Sequence, residues 1–337
     1  MQIISLEIKN LIYFFGFSTI GICIVLIFLQ ITMLIALLRK INLLLKNYIF
    51  IIITWIVFFE LLQQIILLIG GIFYVTFTKP PIIIERALGA ILGSSYIFIA
   101  ILQLYLSVTR LNTFFNYSKI NNKLNKKIFY KSLLILSAIY ICLIIFYSTD
   151  QFRINISITE CGWYFWENKE NYYRLYHIDA TVYLLLCLLT LIFFISIIIK
   201  VFYDKKKTLN SKTIYGKYFI ELRLSIQAII HFTFTAILQL FFVYGRVWFP
   251  YDRNLFRNLN LAWTLSTGCT TISNLIFLRD IRILFFQLFF CYKKKLSKAH
   301  KSTKIKMISK NIEEQDKKNG LYNCNQNDII NNITTTS

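Results

Sequence analysis

The residues with the most chemical potential in this chain are polar side chains set inside long apolar runs. Gln103 and Ser107, with Arg110 just beyond, recur four and three residues apart at the end of the run Ala87–Thr109, a spacing that puts them on one face of a helix. The run Tyr48–Thr76 carries Glu60, Gln63 and Gln64; Leu224–Val243 carries Gln227, His231 and Thr235; Leu259–Leu278 carries Thr267, Thr270, Thr271 and Asn274. Faces of this kind are costly in lipid, so they are expected to turn toward one another inside a helix bundle. They serve there either as interhelical hydrogen-bond glue, at about 0.6 kcal/mol or somewhat more per bond, or as a signalling core. Glu60 is the one carboxylate deep within a run, and an ionised carboxylate near a bilayer centre costs about 2.5 kcal/mol or more. It is read as protonated and hydrogen-bonded to a neighbouring Gln, or as a sodium-like cation site. His231 reads as a packed, hydrogen-bonded core histidine. There is no Gly-rich phosphate loop, no pair of carboxylates within one run, and no Ser/His/Asp set in one cleft, so no enzyme activity and no cofactor are expected. The seven cysteines lack metal-ligand spacing, and no metal site is expected.

The elements that must position these groups are membrane helices. Of the 337 residues, 57% are hydrophobic and only 16% charged, where soluble chains carry about 25% charged residues. The net charge of +21 points away from nucleic acid, because the bases sit in short loops between apolar runs. Seven spans are expected: Leu11–Leu38, Tyr48–Thr76, Ala87–Thr109, Ser132–Ser148, Ala180–Ile199, Leu224–Val243 and Leu259–Leu278. A stretch of about 20 apolar residues crosses a bilayer, and the first run is too long for a signal-peptide core. Of the 37 bases, 9 (Lys9, Lys79, Arg86, Arg153, Lys169, Arg174, Arg246, Arg253 and Arg257) fall on one side and 28 on the other. The bias of bases toward the cytoplasm then places residues 1–10 outside and the C-terminus in the cytosol, in a multi-pass plasma-membrane protein.

The longest external loop, Thr149–Asp179, contains an alternating, aromatic-rich segment from Ile154 to Glu167 that suits a short β-hairpin lying over the bundle as a lid. Asn155-Ile-Ser157 is a glycosylation sequon on the external side. Residues 11–278 form the membrane domain. Residues 279–295, apolar and closed by Lys293, Lys294 and Lys295, suit an interfacial eighth helix with Cys291 as a palmitoylation candidate. Residues 296–337 are Lys-, Asn- and Ser/Thr-rich and are expected to be a disordered cytosolic tail. The fold class is thus an all-α membrane protein with a seven-helix bundle.

An odd helix number, an external N-terminus, basic cytosolic loops and an Arg closing the third helix resemble a rhodopsin-like G-protein-coupled receptor. Three stretches bring the resemblance closer to the nematode chemoreceptors, with serpentine receptor class X the best match. Leu106-Ser-Val-Thr-Arg110 with Leu111 is similar to their Asn-Arg-aromatic signature. Glu221-Leu-Arg-Leu-Ser-Ile-Gln227 resembles the Glu-x-Arg…Gln start of helix six, and Asn274-Leu-Ile-Phe-Leu-Arg-Asp-Ile-Arg282 resembles the exit of helix seven. The likeness spans roughly Leu11 to Tyr292. It departs from the wider receptor pattern at Thr109, which stands in the acidic or Asn position. Leu275 replaces the usual Pro, and helix six lacks a Trp-x-Pro. No cysteine lies at the outer end of helix three to pair with Cys161.

The resemblance implies a chemosensory receptor, in a plasma membrane or sensory cilium, that binds an external small molecule or odorant and signals to a heterotrimeric G protein. The lipid bilayer is its other partner. By analogy and depth, the ligand-contact candidates are Ser94, Ser95, Tyr96, Trp163, Trp166, Asp179, Tyr183, Gln239, Tyr244, Trp263 and Thr264. Asp179 either pairs with a cationic ligand or is an ordinary solvated loop carboxylate. Arg110, Glu221, Arg223 and Asn274 are the coupling candidates, with Arg110 paired to Glu221 at rest, or else Arg110 reaching lipid phosphates and Glu221 reaching Arg223 or water. The rival readings are a peptide or transmitter receptor of the same architecture, and an inverted seven-helix ligand-gated channel or transporter, which the loop charges oppose.

Overall fold

A computed structural model of the chain describes residues 6–39, 48–115, 122–165, 172–207, 212–249, 253–277, 282, 283, 285 and 286. The elements run α1 (Leu6–Leu38), α2 (Tyr48–Thr76), α3 (Ile82–Phe115), α4 (Asn122–Ser148), β1 (Ile154–Ser157), β2 (Gly162–Phe165), α5 (Tyr172–Lys207), α6 (Lys212–Trp248), α7 (Arg253–Ser266) and α8 (Cys269–Phe277). The chain is a helical membrane protein: six of these helices, α1 to α6, are long and apolar enough to cross a bilayer. Their outward faces suit lipid. Phe14, Phe17, Ile24 and Phe28 on α1, Leu134 and Ile145 on α4, and Leu188 and Ile199 on α5 are all exposed, and a backbone bonded within its own helix tolerates that solvent.

The predicted continuous seventh span, Leu259–Leu278, is corrected to two helices. α7 and α8 meet at Thr267-Gly268 and are 14 and 9 residues long. The break frees carbonyls that distant side chains satisfy. Gln64 of α2 donates from Nε2 to the Thr264 carbonyl at 2.8 Å and to the Thr267 hydroxyl, and Gln30 of α1 donates to the Thr267 carbonyl at 3.4 Å. Gly268 sits where an added Cβ would lie 2.5 Å from Leu26 Cδ2, so its missing side chain is what lets α1 lie against the break. Small residues do the same where α1 crosses α2: a Cβ at Gly16 would lie 2.8 Å from Val75 Cγ2, and one at Gly71 2.9 Å from Ile20 Cγ1.

The hairpin expected between Ile154 and Glu167 is present, with Ile154 opposite Phe165 and Ser157 opposite Gly162. Its turn closes with the Cys161 amide on the Ile158 carbonyl at 3.4 Å and puts Cys161 in the left-handed region at φ 49°. The expected alternation is absent: Ile154, Asn155 and Ile156 are all buried, because the strand is covered on both faces. α3 lies against β1 so closely that a Cβ at Gly89 would overlap the Ile154 carbonyl oxygen.

Candidate functional site

Charged groups read only as loop charges hold the hairpin in place. Glu85, in the first turn of α3, is fully buried and accepts the Ile156 amide at 2.8 Å and Arg153 Nη2 at 3.4 Å, with Lys79 Nζ 3.9 Å away. The next residue, Arg86, pairs with Asp150. From the other side Arg257 of α7, also buried, donates Nε and Nη2 to the Thr159 carbonyl at 3.0 and 2.8 Å and Nη1 to Asn254 Oδ1 at 2.8 Å. Asn260, one turn on, reaches the Tyr164 hydroxyl. The hairpin is therefore fixed from both α3 and α7. Burial pushes the Cys161 thiol up to about 11, with Arg257 pulling the other way, and the thiol is free.

Beneath the hairpin is a cavity of about 80 Å³ lined by Gly93 and Tyr96 of α3, Tyr147 of α4, Ile154, Trp163 and Tyr164 of the hairpin, Asp179 of α5, Thr235, Leu238, Gln239 and Phe242 of α6, and Trp263 and Ser266 of α7. One water needs about 10–15 Å³ by the same measure, so the cavity takes a small organic molecule. Tyr96 ties several of its walls together. Its ring stacks on Tyr183 at 4.2 Å and meets Trp263 edge-on at 5.8 Å, and its hydroxyl donates to Gln239 Oε1 at 3.0 Å. Phe242 meets the other edge of Trp263 at 6.2 Å. The Tyr147 hydroxyl donates to Asp179 Oδ1.

Five of the eleven predicted contact residues, Tyr96, Trp163, Asp179, Gln239 and Trp263, line this cavity. Asp179 is thus corrected from the solvated loop carboxylate of one reading to a cavity group. Tyr183 stands behind Tyr96. Ser94 and Ser95 turn away: Ser94 donates to the Ala90 carbonyl of its own helix at 2.6 Å, and Ser95 shares a 3.2 Å bond with Tyr140 of α4. Thr264 bonds the Asn260 carbonyl at 2.9 Å and lines a smaller void with Cys161 and Asn260. Tyr244 is exposed and stacks on Trp248 at 5.7 Å. Trp166 lies outside the described residues. Sequence reasoning missed Tyr147, Ile154, Tyr164 and Phe242, whose only signal was their place among aromatic residues near span ends.

A second cavity, of about 40 Å³, gathers Gln103 and Arg110 of α3, His231 of α6, and Thr270 and Asn274 of α8. These are five of the polar residues picked out by spacing, and they stand among apolar side chains that include Ile53, Leu106 and Phe232. Arg110 is 3% exposed and lies within α3, which continues to Phe115, so the reading in which it reaches lipid phosphates does not describe it. Ser107 is buried and donates to the Leu104 carbonyl at 2.7 Å. Glu60, also buried, accepts the Thr271 hydroxyl at 3.0 Å. Gln63 is buried beside it on α2. The side chains of Glu221 and Gln227 lie outside the described residues, as does Cys291; Arg223 is exposed. Of the predicted interfacial helix only Arg282, Ile283, Phe285 and Phe286 are described, and Arg282 donates to the Ile276 carbonyl near the end of α8 at 3.1 Å. Asn155 is 9% exposed in β1, so a glycan on its Nδ2 needs the strand displaced. Among the described residues no group of His, Cys, Asp or Glu could hold a metal. Comparison with protein-family profiles and with curated proteins returned no match to this chain.

Proposed function

We propose that the chain is a seven-helix chemosensory receptor, with α7 and α8 together as the seventh crossing, that takes an external small molecule in the hairpin-end cavity and signals to a cytosolic G protein. The observation that carries this reading is the pair of separate cavities on α3. One is lined largely by aromatic side chains, Tyr96 among them. The other sets Gln103, Arg110, His231, Thr270 and Asn274 among apolar side chains, with Arg110 about 21 Å along the helix from Tyr96 at 1.5 Å per residue. The loops at the Arg110 end hold most of the bases, which favours that end as cytosolic. An occupant touching Trp263 and Gln239 bears on α7 and α6 directly above His231, Thr270 and Asn274. The break at Thr267-Gly268 lets α7 tilt without carrying α8 as a rigid rod. A ligand that fits one tilt better shifts the population toward it, and the cleft around Arg110 responds.

The test is a G-protein reporter in cells that display the chain at the surface, challenged with a panel of small odorants. A response abolished by Arg110→Ala at equal surface level is expected. A response that persists after the G proteins are removed, or that appears as a ligand-gated current without them, contradicts the reading.

A further inference from the structure

Resting on that reading, we propose that the hairpin-end cavity takes a small organic ammonium ion, its cationic head on Asp179 and its alkyl body among Tyr96, Trp163, Phe242 and Trp263. Among the described residues Asp179 is the one carboxylic acid lining the cavity, and no Lys, Arg or His lines it. Three of the neutral polar groups there are engaged within the protein, whereas the indole N–H groups of Trp163 and Trp263 have no acceptor among the described residues. Thr235 donates to the His231 carbonyl at 3.0 Å, Ser266 to the Trp263 carbonyl at 2.7 Å, and Gln239 Oε1 accepts from Tyr96. Tyr147 occupies one acceptor position of the Asp179 carboxylate, and a carboxylate offers about four. The charged group left for an occupant is therefore the Asp179 carboxylate, and the two indole N–H groups can donate to an acceptor on the body of the same molecule.

The walls agree with the floor. Aromatic faces attract a desolvated ammonium through the ring quadrupole, and this cavity presents aromatic rings from the hairpin, α3, α4, α6 and α7. An anionic occupant meets Asp179 with no base among the described lining residues to offset it. A neutral occupant leaves the carboxylate inside a largely apolar space with Tyr147 as its donor among the described residues, an arrangement that costs more than the same site filled by a cation. Ammonium compounds are thus favoured twice, by charge and by ring faces.

The experiment uses the full chain purified in micelles, with intrinsic fluorescence as the readout, since Trp163 and Trp263 line the cavity. It is titrated at neutral pH with isoamylamine, isoamyl alcohol and isovalerate, which share a branched alkyl body and differ in charge. Saturable binding of the amine, at least about tenfold tighter than the alcohol, with none for the carboxylate, is expected. Asp179→Asn should weaken the amine at least about tenfold and leave the alcohol unchanged, whereas Asp179→Glu should keep the preference. Equal affinity for amine and alcohol in the unmodified chain, or an Asp179→Asn variant that binds the amine undiminished, overturns the ammonium class and leaves the receptor reading standing. No saturable change with any of the three overturns the ammonium class and takes the hairpin-end cavity from the receptor reading as well. Where Asp179→Asn does not fold, the amine-to-alcohol ratio of the unmodified chain decides alone.

Discussion

Replacing Glu85 with Ala should release the hairpin. Glu85 accepts both the Ile156 amide and Arg153 Nη2, and Arg153 is 8% exposed. Removing the carboxylate leaves a buried guanidinium without its acid, a loss of about 3–5 kcal/mol. It also leaves an amide of the docked strand without its acceptor. At about 1.4 kcal/mol per decade, the undocked population rises roughly 100-fold to several thousand-fold. Cys161 reports this directly. Its thiol is buried and pushed up to about 11 from an ordinary 9.0, so undocking both uncovers the sulfur and raises its thiolate fraction near neutral pH by about 100-fold. The assay is maleimide labelling of the purified full chain, quantified by mass spectrometry on the peptide containing Cys161. Glu85→Ala should label at least about 100 times faster. The double variant Glu85→Ala/Arg153→Ala, which removes both charges, should fall back toward the unmodified rate. Equal labelling of Glu85→Ala and the unmodified chain, with thermal unfolding unchanged, refutes the staple.

Three further outcomes follow from local geometry. Gly89→Ala should lower the unfolding midpoint, at a cost of about 1–3 kcal/mol, because the new Cβ overlaps the Ile154 carbonyl. Gly21→Ala, with nothing within 4 Å of the added carbon, should leave the midpoint in place. Gln64→Leu removes the α2 donor at the α7–α8 break, leaves the Thr264 carbonyl to the Thr267 hydroxyl and should cost about 1 kcal/mol; hydrogen exchange through Leu265–Ile272 should quicken, and unchanged exchange there would contradict that role. Arg257→Lys cannot reproduce the fork on Thr159 and Asn254. It should therefore speed Cys161 labelling, and an unchanged rate would contradict the clamp.

Hydropathy marked the long helices well, since a span is a bulk property of about 20 residues. The expected span Tyr48–Thr76 and α2 share both ends, and α3 to α6 extend beyond their expected spans into polar sequence that averaging discounts. The same averaging hid the break at Thr267-Gly268, because Gln30 and Gln64 come from positions 237 and 200 residues from the carbonyls they meet. Helical spacing found Gln103, Arg110, His231 and Asn274, which meet around one cavity. It failed for Ser94 and Ser95, since lining depends on helix rotation, and adjacent residues on a helix point about 100° apart. Arg153 and Arg257 were visible only in a count of bases, and Glu85 carried no signal at all. A count of bases gives orientation and carries no information on which base meets which acid.

The central claim turns most directly on which way the chain sits in the membrane. Tags at both ends, probed with antibody on intact and permeabilised eukaryotic cells, decide it. An N-terminal tag reached from outside and a C-terminal tag reached only after permeabilisation are the predicted result, and they put the Tyr96 cavity outside and the Arg110 cavity in the cytosol. A hidden N-terminal tag with an exposed C-terminal one would contradict the receptor account and favour the inverted channel.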